Sequence, residues 1–272
     1  MIKLLKHARM ARSTFYYHLS ELQREDKYAG AKQDILQVYR LHKGRYGYRR
    51  ICAELKAKGY PINHKTVHSL MKELGIKSII RVKKYVSYRG EMGRVAPNHL
   101  NRNFTATRLN QKWVTDITEF KVKDQKLYLS PIMDLFNREI ISFTLAERPV
   151  LQQVLDMVNK AVGKTATPSA LMIHSDQGWQ YQNPVYQELL TKKEILISMS
   201  RKGNCLDNAV MENFFGTLKS ELFYLKKYQS IQELKTEIKQ YIHYYNNHRI
   251  KTSLNGKSPV QYRAFSLNLI QS

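Results

Sequence analysis

The chain has 272 residues with 45 Lys and Arg against 22 Asp and Glu, a net charge of +23, and 43% apolar residues. That length allows two domains and a sizeable core. No apolar run approaches a membrane span or a signal peptide, which excludes a membrane role, and two cysteines, Cys52 and Cys205, exclude a disulfide framework and fit a reducing cytosol. The charge is uneven: residues 1–104 carry 23 Lys and Arg against 7 Asp and Glu, and residues 105–272 carry 22 against 15. Such an excess in the first stretch points to a polyanion partner.

Residues 1–20 read as two short helices. Leu4, Leu5 and Ala8 make one stripe, and Ser13 is placed to cap a second helix with Phe15 and Leu19. The basic segment is drawn at 1–28. From residue 29 to 84 the pattern is that of a helix-turn-helix. Ile35, Val38 and Tyr39 lie on a first helix. The run 48–58 turns Ile51 and Leu55 inward and ends at Gly59 before Pro61. Asn63 then caps a third helix with Val67, Leu70, Met71 and Leu74 inward, closed by Gly75. His64, Lys65, Thr66 and His68 fall at the start of that helix, where a recognition helix reads base edges. Arg45, Arg49, Arg50, Arg81, Lys83 and Lys84 surround it. A plain three-helix packing module is the blander reading, and the basic surroundings favour DNA. Residues 85–107, with Gly90, Gly93 and Pro97, lose periodicity and read as a linker, ordered only against DNA or a partner.

Residues 108–265 form the core domain in this reading. Strands are predicted at 112–122, 126–134 and 139–147, then a helix at 152–163. Strands at 171–174 and 195–199 follow, separated by a helix at 184–193. Strands first and alternation afterwards predict an α/β domain with a mixed sheet. A last helix opens on the capping box Ser230 to Glu233, with Ile231, Leu234, Ile238, Tyr241, Ile242 and Tyr245 on its apolar side. Its tyrosines read as core rather than as stacking platforms. His248, Arg249 and Lys251 beyond it are candidate DNA contacts.

Three acids stand out within that domain. Asp116 sits in the middle of a β-rich run, where a buried carboxylate needs a partner, a proton or a metal. Asp176 ends a short apolar strand, in HSDQG. Glu212 opens a helix whose stripe is Met211, Phe215, Leu218 and Leu222, with Asp207 as its cap. Asn208, Glu212, Phe215, Gly216 and Lys219 share one face of that helix. Carboxylates on strand, strand end and helix suit hard divalent cations, Mg²⁺ or Mn²⁺, and two such ions can drive an in-line phosphoryl transfer. Among the other acids, Glu119 is predicted to face away and Asp134 to be a structural neighbour. His174 either orients Asp176 or is a satisfied strand-end histidine.

Asp116, Asp176, and Glu212 after a 35-residue gap, with Lys219 seven residues on, match the D-D(35)E-K pattern of retroviral-integrase-like transposases. HSDQGWQY, SRKGNCLDNAVMENFFGTLKSEL and YYNNHRIKTSLNGKSPVQY make the chain similar to the insertion-sequence-three family of bacterial transposases, second-reading-frame (OrfB) type. The resemblance implies a ribonuclease-H-like catalytic domain behind an all-α helix-turn-helix region. It implies metal-dependent DNA cleavage and strand transfer through the three acids, with two Mg²⁺ or Mn²⁺ ions. Its partners are then the element's terminal inverted repeats and target DNA, a second copy of the chain in the synaptic complex, and the upstream-frame (OrfA-type) product. The setting is the bacterial cytoplasm, at the nucleoid when DNA-bound. In the family an upstream frame encodes a further DNA-binding segment, so a chain opening at Met1 is expected to be catalytically competent but poorly specific. The alternatives are a DNA-binding regulator derived from a transposase and a metal-dependent nuclease of the same fold. The intact acids argue against the first, and the blocks around Arg249 and Pro259 argue against the second.

Overall fold

A computed structural model describes residues 5, 7, 10–23, 26–79, 94–164, 171–201 and 204–271. The expectations for Arg81, Lys83, Lys84 and residues 85–93 lie outside them. The chain divides into two compact units, Met1–Ser78 and Ile79–Ser272. Among the described residues no helix is long and apolar enough to cross a membrane.

The small unit is helical: α1 (Arg12–Gln23), α2 (Ala29–Leu41), α3 (Tyr48–Ala57) and α4 (His64–Glu73). Ser13 lies inside α1 rather than before it, so it is not the cap that the sequence suggested. The apolar stripes of the other three helices meet in one core of Ala31, Ile35, Val38, Ile51, Cys52, Leu55, Val67, Leu70 and Met71. Gly59 after α3 and Gly75 after α4 stand at φ +89° and +66°, the left-handed region where a Cβ is strained. Between them the Asn63 side chain accepts from the Lys65 N–H at 2.9 Å and caps α4.

The larger unit is built on a six-stranded mixed sheet: β1 (Lys112–Thr115), β2 (Thr118–Val122), β3 (Gln125–Asp134), β4 (Ile140–Ala146), β5 (Met172–Ser175) and β6 (Leu196–Met199). β3 pairs antiparallel with β1, β2 and β4; β5 lies parallel between β1 and β6. Alternate residues serve opposite faces. Trp113, Ile132 and Ile173 join one core with α5 (Leu151–Lys164) and α7 (Pro184–Lys192). Val114, Met133 and Met172 join the other, under α8 (Ala209–Glu221) and α9 (Ile231–Asn247). The six apolar residues expected inward on α9 are its buried set, and the Ser230 hydroxyl accepts from the Glu233 N–H at 3.1 Å. Between β5 and α7 lies the short α6 (Trp179–Gln182), and α10 (Pro259–Gln271) closes the chain.

Two expectations need correction. The single strand predicted over 112–122 is two strands interrupted at Asp116 and Ile117, although both pair with β3 in one register. That register sets Asp116 opposite Pro131, which has no N–H to give the ladder. The predicted linker, over its described part from residue 94, is packed on its own unit. The Ser198 hydroxyl accepts the N–H groups of His99 and Leu100, the Met199 N–H donates to Pro97 O, and Leu100 is 1% exposed in the core. Its polar sequence hides a segment held largely through backbone groups, which leave no periodicity.

Candidate active site: a carboxylate cluster at a strand break

β1 and β5 run parallel with Val114 facing His174. Two residues further along each lie Asp116 and Asp176, so the register alone carries both carboxylates to the same end of neighbouring strands. The break at Asp116 releases it from the ladder, and its Oδ1 accepts the Ile117 N–H at 2.7 Å. Asp176 is shaped by the turn that follows it: its Oδ1 accepts the Gly178 N–H at 2.9 Å. A Cβ on Gly178 would stand 3.0 Å from that same oxygen, so a side chain there would press on the Asp176 carboxylate. Glu212 lies in the first turn of α8, half-buried.

Electrostatics joins the three. Burial first, then the negative charges of Asp176 and Glu212, push the Asp116 carboxyl well above the usual carboxylate range, and Lys219 pulls it back only in part. Burial also raises Asp176 and Glu212. Burial lowers the Lys219 ammonium, while Asp116 and Glu119 oppose that shift; its Nζ lies 5.2 Å from the Phe120 ring centroid. Gly216, one turn after Glu212, faces open space: a Cβ built there meets nothing within 4 Å. Below the cluster, the buried Tyr181 hydroxyl and Thr115 Oγ1 are 3.2 Å apart, and Thr115 Oγ1 also donates to Pro131 O at 2.9 Å. Among the described residues, no three His, Cys, Asp or Glu side chains are drawn together closely enough to hold an ion as they stand. The donor set nevertheless fits a hard cation: three carboxylates, all held toward their protonated forms by burial, with no nitrogen or sulfur among them.

The competing acids fall elsewhere. Glu119 is exposed and pairs with Lys126 at 3.1 Å. Asp134 is fully buried, accepting the N–H groups of Asn110 and Phe136. His174 is satisfied by the hydroxyls of Ser198 and Ser200 at 2.8 and 3.1 Å, and burial lowers it to about 4, so it is neutral at physiological pH. Asp207 is not the helix cap. It is fully buried beneath Arg201 and Arg102, each at 2.9 Å, with Asn98 donating at 3.0 Å. Arg249, expected at DNA, is 4% exposed and forms a two-pronged pair with Glu221, Nε to Oε2 at 2.9 Å and an outer nitrogen to Oε1 at 2.6 Å. The Tyr241 hydroxyl donates to the same carboxylate at 2.9 Å. Lys251 is half-buried, its Nζ 4.7 Å from the Tyr245 ring centroid.

In the small unit, His64, Lys65 and His68 are exposed on α4 and Thr66 is half-buried. Tyr48 lies beside His68, ring centroids 4.9 Å apart, with the Arg49 guanidinium 5.6 Å from the Tyr48 ring. Arg50 lies 5.4 Å from the Tyr46 ring, and Arg45 is buried at 8% exposure. The Arg102–Asp207 pair and the Arg249–Glu221 pair escaped the sequence reading. Their partners are 105 and 28 residues apart, beyond any local pattern.

Comparison with known proteins follows the same division. An integrase core domain model matches residues 106–205, a second integrase core domain model residues 212–267, and an HTH-like domain model residues 25–84. The chain is 54% identical to the putative transposase InsK for insertion sequence element IS150 of Escherichia coli (strain K12), over 96% of this chain and 92% of that protein. It is 34% identical to the transposase InsF for insertion sequence IS3A of the same organism, over 84% and 80%. Among solved structures it is similar to the simian T-cell lymphotropic virus intasome in complex with PP2A regulatory subunit B56 gamma, at 16% identity, TM-score 0.49, over 84% of this chain and 74% of that one. The HTLV-2 integrase catalytic core domain in complex with magnesium gives 19%, 0.44, 58% and 99%.

Proposed function

The chain belongs to the insertion-sequence-three family of transposases, polynucleotidyl transferases with an integrase core of ribonuclease-H-like fold, and on that premise we propose that Asp116, Asp176 and Glu212 are its catalytic acids. The observation that carries this is the parallel register that sets Asp116 beside Asp176, with Glu212 near enough to raise the Asp116 carboxyl. The three carboxylates would hold Mg²⁺ or Mn²⁺, as two ions. Bound there, the metal supplies Lewis acidity to the phosphate and to the attacking oxygen. The protein's part is to keep the carboxylates facing one another and to seat the DNA backbone. Gly216 leaves room for that backbone beside Glu212, and Lys219, on the same helix, offers a positive charge to a phosphate. No side chain need act as nucleophile, because water cuts the strand and the freed 3′-hydroxyl joins it.

The small unit, whose α3 and α4 resemble a helix-turn-helix, would hold the terminal inverted repeats or flanking DNA through Arg49, Arg50, His64, Lys65, Thr66 and His68. The domain limits 1–28, 29–84, 85–107 and 108–265 stand as part of this proposal, with residues 94–107 moved to the catalytic unit. Holding two element ends together calls for at least two copies, and an upstream-frame partner would add end specificity. The test is incubation with Mn²⁺ or Mg²⁺ and a labelled duplex carrying element ends, beside Asp176→Asn. Joined products lost in the variant support the proposal. Products that survive in it defeat the assignment of Asp176, and cleavage without joining favours a nuclease.

A further inference from the structure

On the reading that Asp116, Asp176 and Glu212 bind divalent cations, we propose that Asn208 is a positioning residue, linking the strand break that carries Asp116 to the helix that carries Glu212. Asn208 occupies the cap position of α8 and is 3% exposed. An asparagine there ordinarily accepts an N–H from the first turn. This one makes no such bond. Its Nδ2 instead donates to Thr115 O at 3.1 Å, and its Oδ1 is buried with no hydrogen-bond partner among the described residues. Thr115 immediately precedes Asp116, and Glu212 follows Asn208 by one helical turn. Thr115 is itself immobilised through its hydroxyl, toward Pro131 O and Tyr181.

A residue serving α8 alone would gain more by capping it. Asn208 gives up the cap and reaches 93 residues back along the chain. What it obtains is a fixed offset between two carboxylates that repel each other and would drift apart before a cation arrives. The amide is also the required chemistry. Aspartate at 208 would set an acceptor against the Thr115 carbonyl and add a fourth negative charge to the cluster.

Asn208→Ala and Asn208→Asp test this in the full chain, with Ca²⁺ as a probe that binds without turnover. Binding is read by titration calorimetry and by the rise in melting temperature. Loss of groups that orient metal ligands weakens metal affinity about tenfold to a hundredfold, and both variants are expected to need that much more Ca²⁺ for half-saturation. A merely structural role would lower the melting temperature without Ca²⁺ and leave the midpoint unmoved; folded variants with midpoints within about twofold of the parent overturn the proposal. Asp176→Asn separates the two readings. If it too binds Ca²⁺ normally, the carboxylate site itself is misassigned, whereas if only the Asn208 variants behave normally, Asn208 alone is. Should both variants fail to fold, the side-chain amide resonance of Asn208 in the parent chain decides. It is expected to shift with the Ca²⁺ midpoint, and an unmoved resonance overturns the link.

Discussion

Asp207 and Asp116 are both buried aspartates of the larger unit, and the chain treats them in opposite ways. Asp207 lies under Arg201 and Arg102, and those hydrogen bonds hold its carboxyl well below the usual range. Glu221 is handled alike, gripped by Arg249. Asp116 is given burial and two like charges, which outweigh Lys219 and push it up. A protein this rich in Lys and Arg does not lack cations to place. Acids that hold the fold together receive theirs from the chain; on the proposed reading, Asp116, Asp176 and Glu212 would take theirs from solution.

The widest separation between the two kinds of acid is expected in catalysis. On the proposed reading Asp176→Asn removes a cation ligand, and metal stabilisation of the transition state is worth several kcal/mol, so strand joining should fall by about a thousandfold or more with the fold intact. Asp207→Asn should act through stability, with joining lost only in proportion to the unfolded fraction. Strand-joining rates and melting curves on both variants check this. A well-folded Asp207→Asn protein that cannot join strands would erase the distinction.

Next in size is the pair that Glu221 makes with Arg249, a residue expected from the sequence to lie at DNA. Glu221→Gln leaves the buried Arg249 guanidinium without its counter-charge, and breaking a buried pair this way costs about 3–5 kcal/mol. Urea unfolding measures it. The same disruption should leave the salt dependence of DNA binding unchanged, because Arg249 is turned inward.

Much of this contrast could be read from the sequence on one side only. Asp116, Asp176 and Glu212 each stand in a legible local run, a β-rich stretch, a strand end and a helix start, and the stripe of α9 follows a helical period in its six inward residues. The strand break at Asp116 depends on Pro131 lying opposite, which only the register reveals. Asp207 stands where a cap is expected, and nothing nearby announces Arg102 as its partner. Arg249 in a basic tail reads as a surface charge until Glu221 is folded beneath it. Residues 94–104 carry no periodicity because much of their hold runs through backbone N–H and C=O groups, and because their side-chain contacts, Arg102 and Asn98 on Asp207 and Leu100 in the core, follow no helical or strand period.

A smaller effect tests the electrostatics directly. A carboxyl raised in the folded state binds its proton more tightly there than when unfolded, so raising the pH from the ordinary carboxylate range, about 4, toward the raised value should destabilise the metal-free protein. Asp207 runs the other way. Its contribution is present above the unfolded value and is lost only as pH falls below it. Melting temperatures across pH 4–8, native against Asp116→Asn, isolate the cluster. The variant should lose part of the decline and be the more stable of the two at pH 8, and saturating Ca²⁺ should narrow the gap by stabilising only the native chain. A variant less stable than the parent at pH 8 without Ca²⁺ would mean that Asp116 has a cationic partner after all.

The smallest expected effect belongs to the small unit, where charges are exposed and shared among many residues. Lys65, in the first turn of α4, is exposed, and each phosphate contact contributes about one to the slope of log affinity against log salt. Lys65→Ala should therefore flatten that slope by about one and weaken binding to all sequences alike. His68→Ala, beside the Tyr48 ring, should instead change the preference between sequences if the start of α4 lies against base edges. Fluorescence anisotropy over a salt series, with an element-end duplex and a scrambled one, separates the two. Equal losses on both duplexes for both variants would make this unit a general DNA holder, leaving end recognition to residues outside α4.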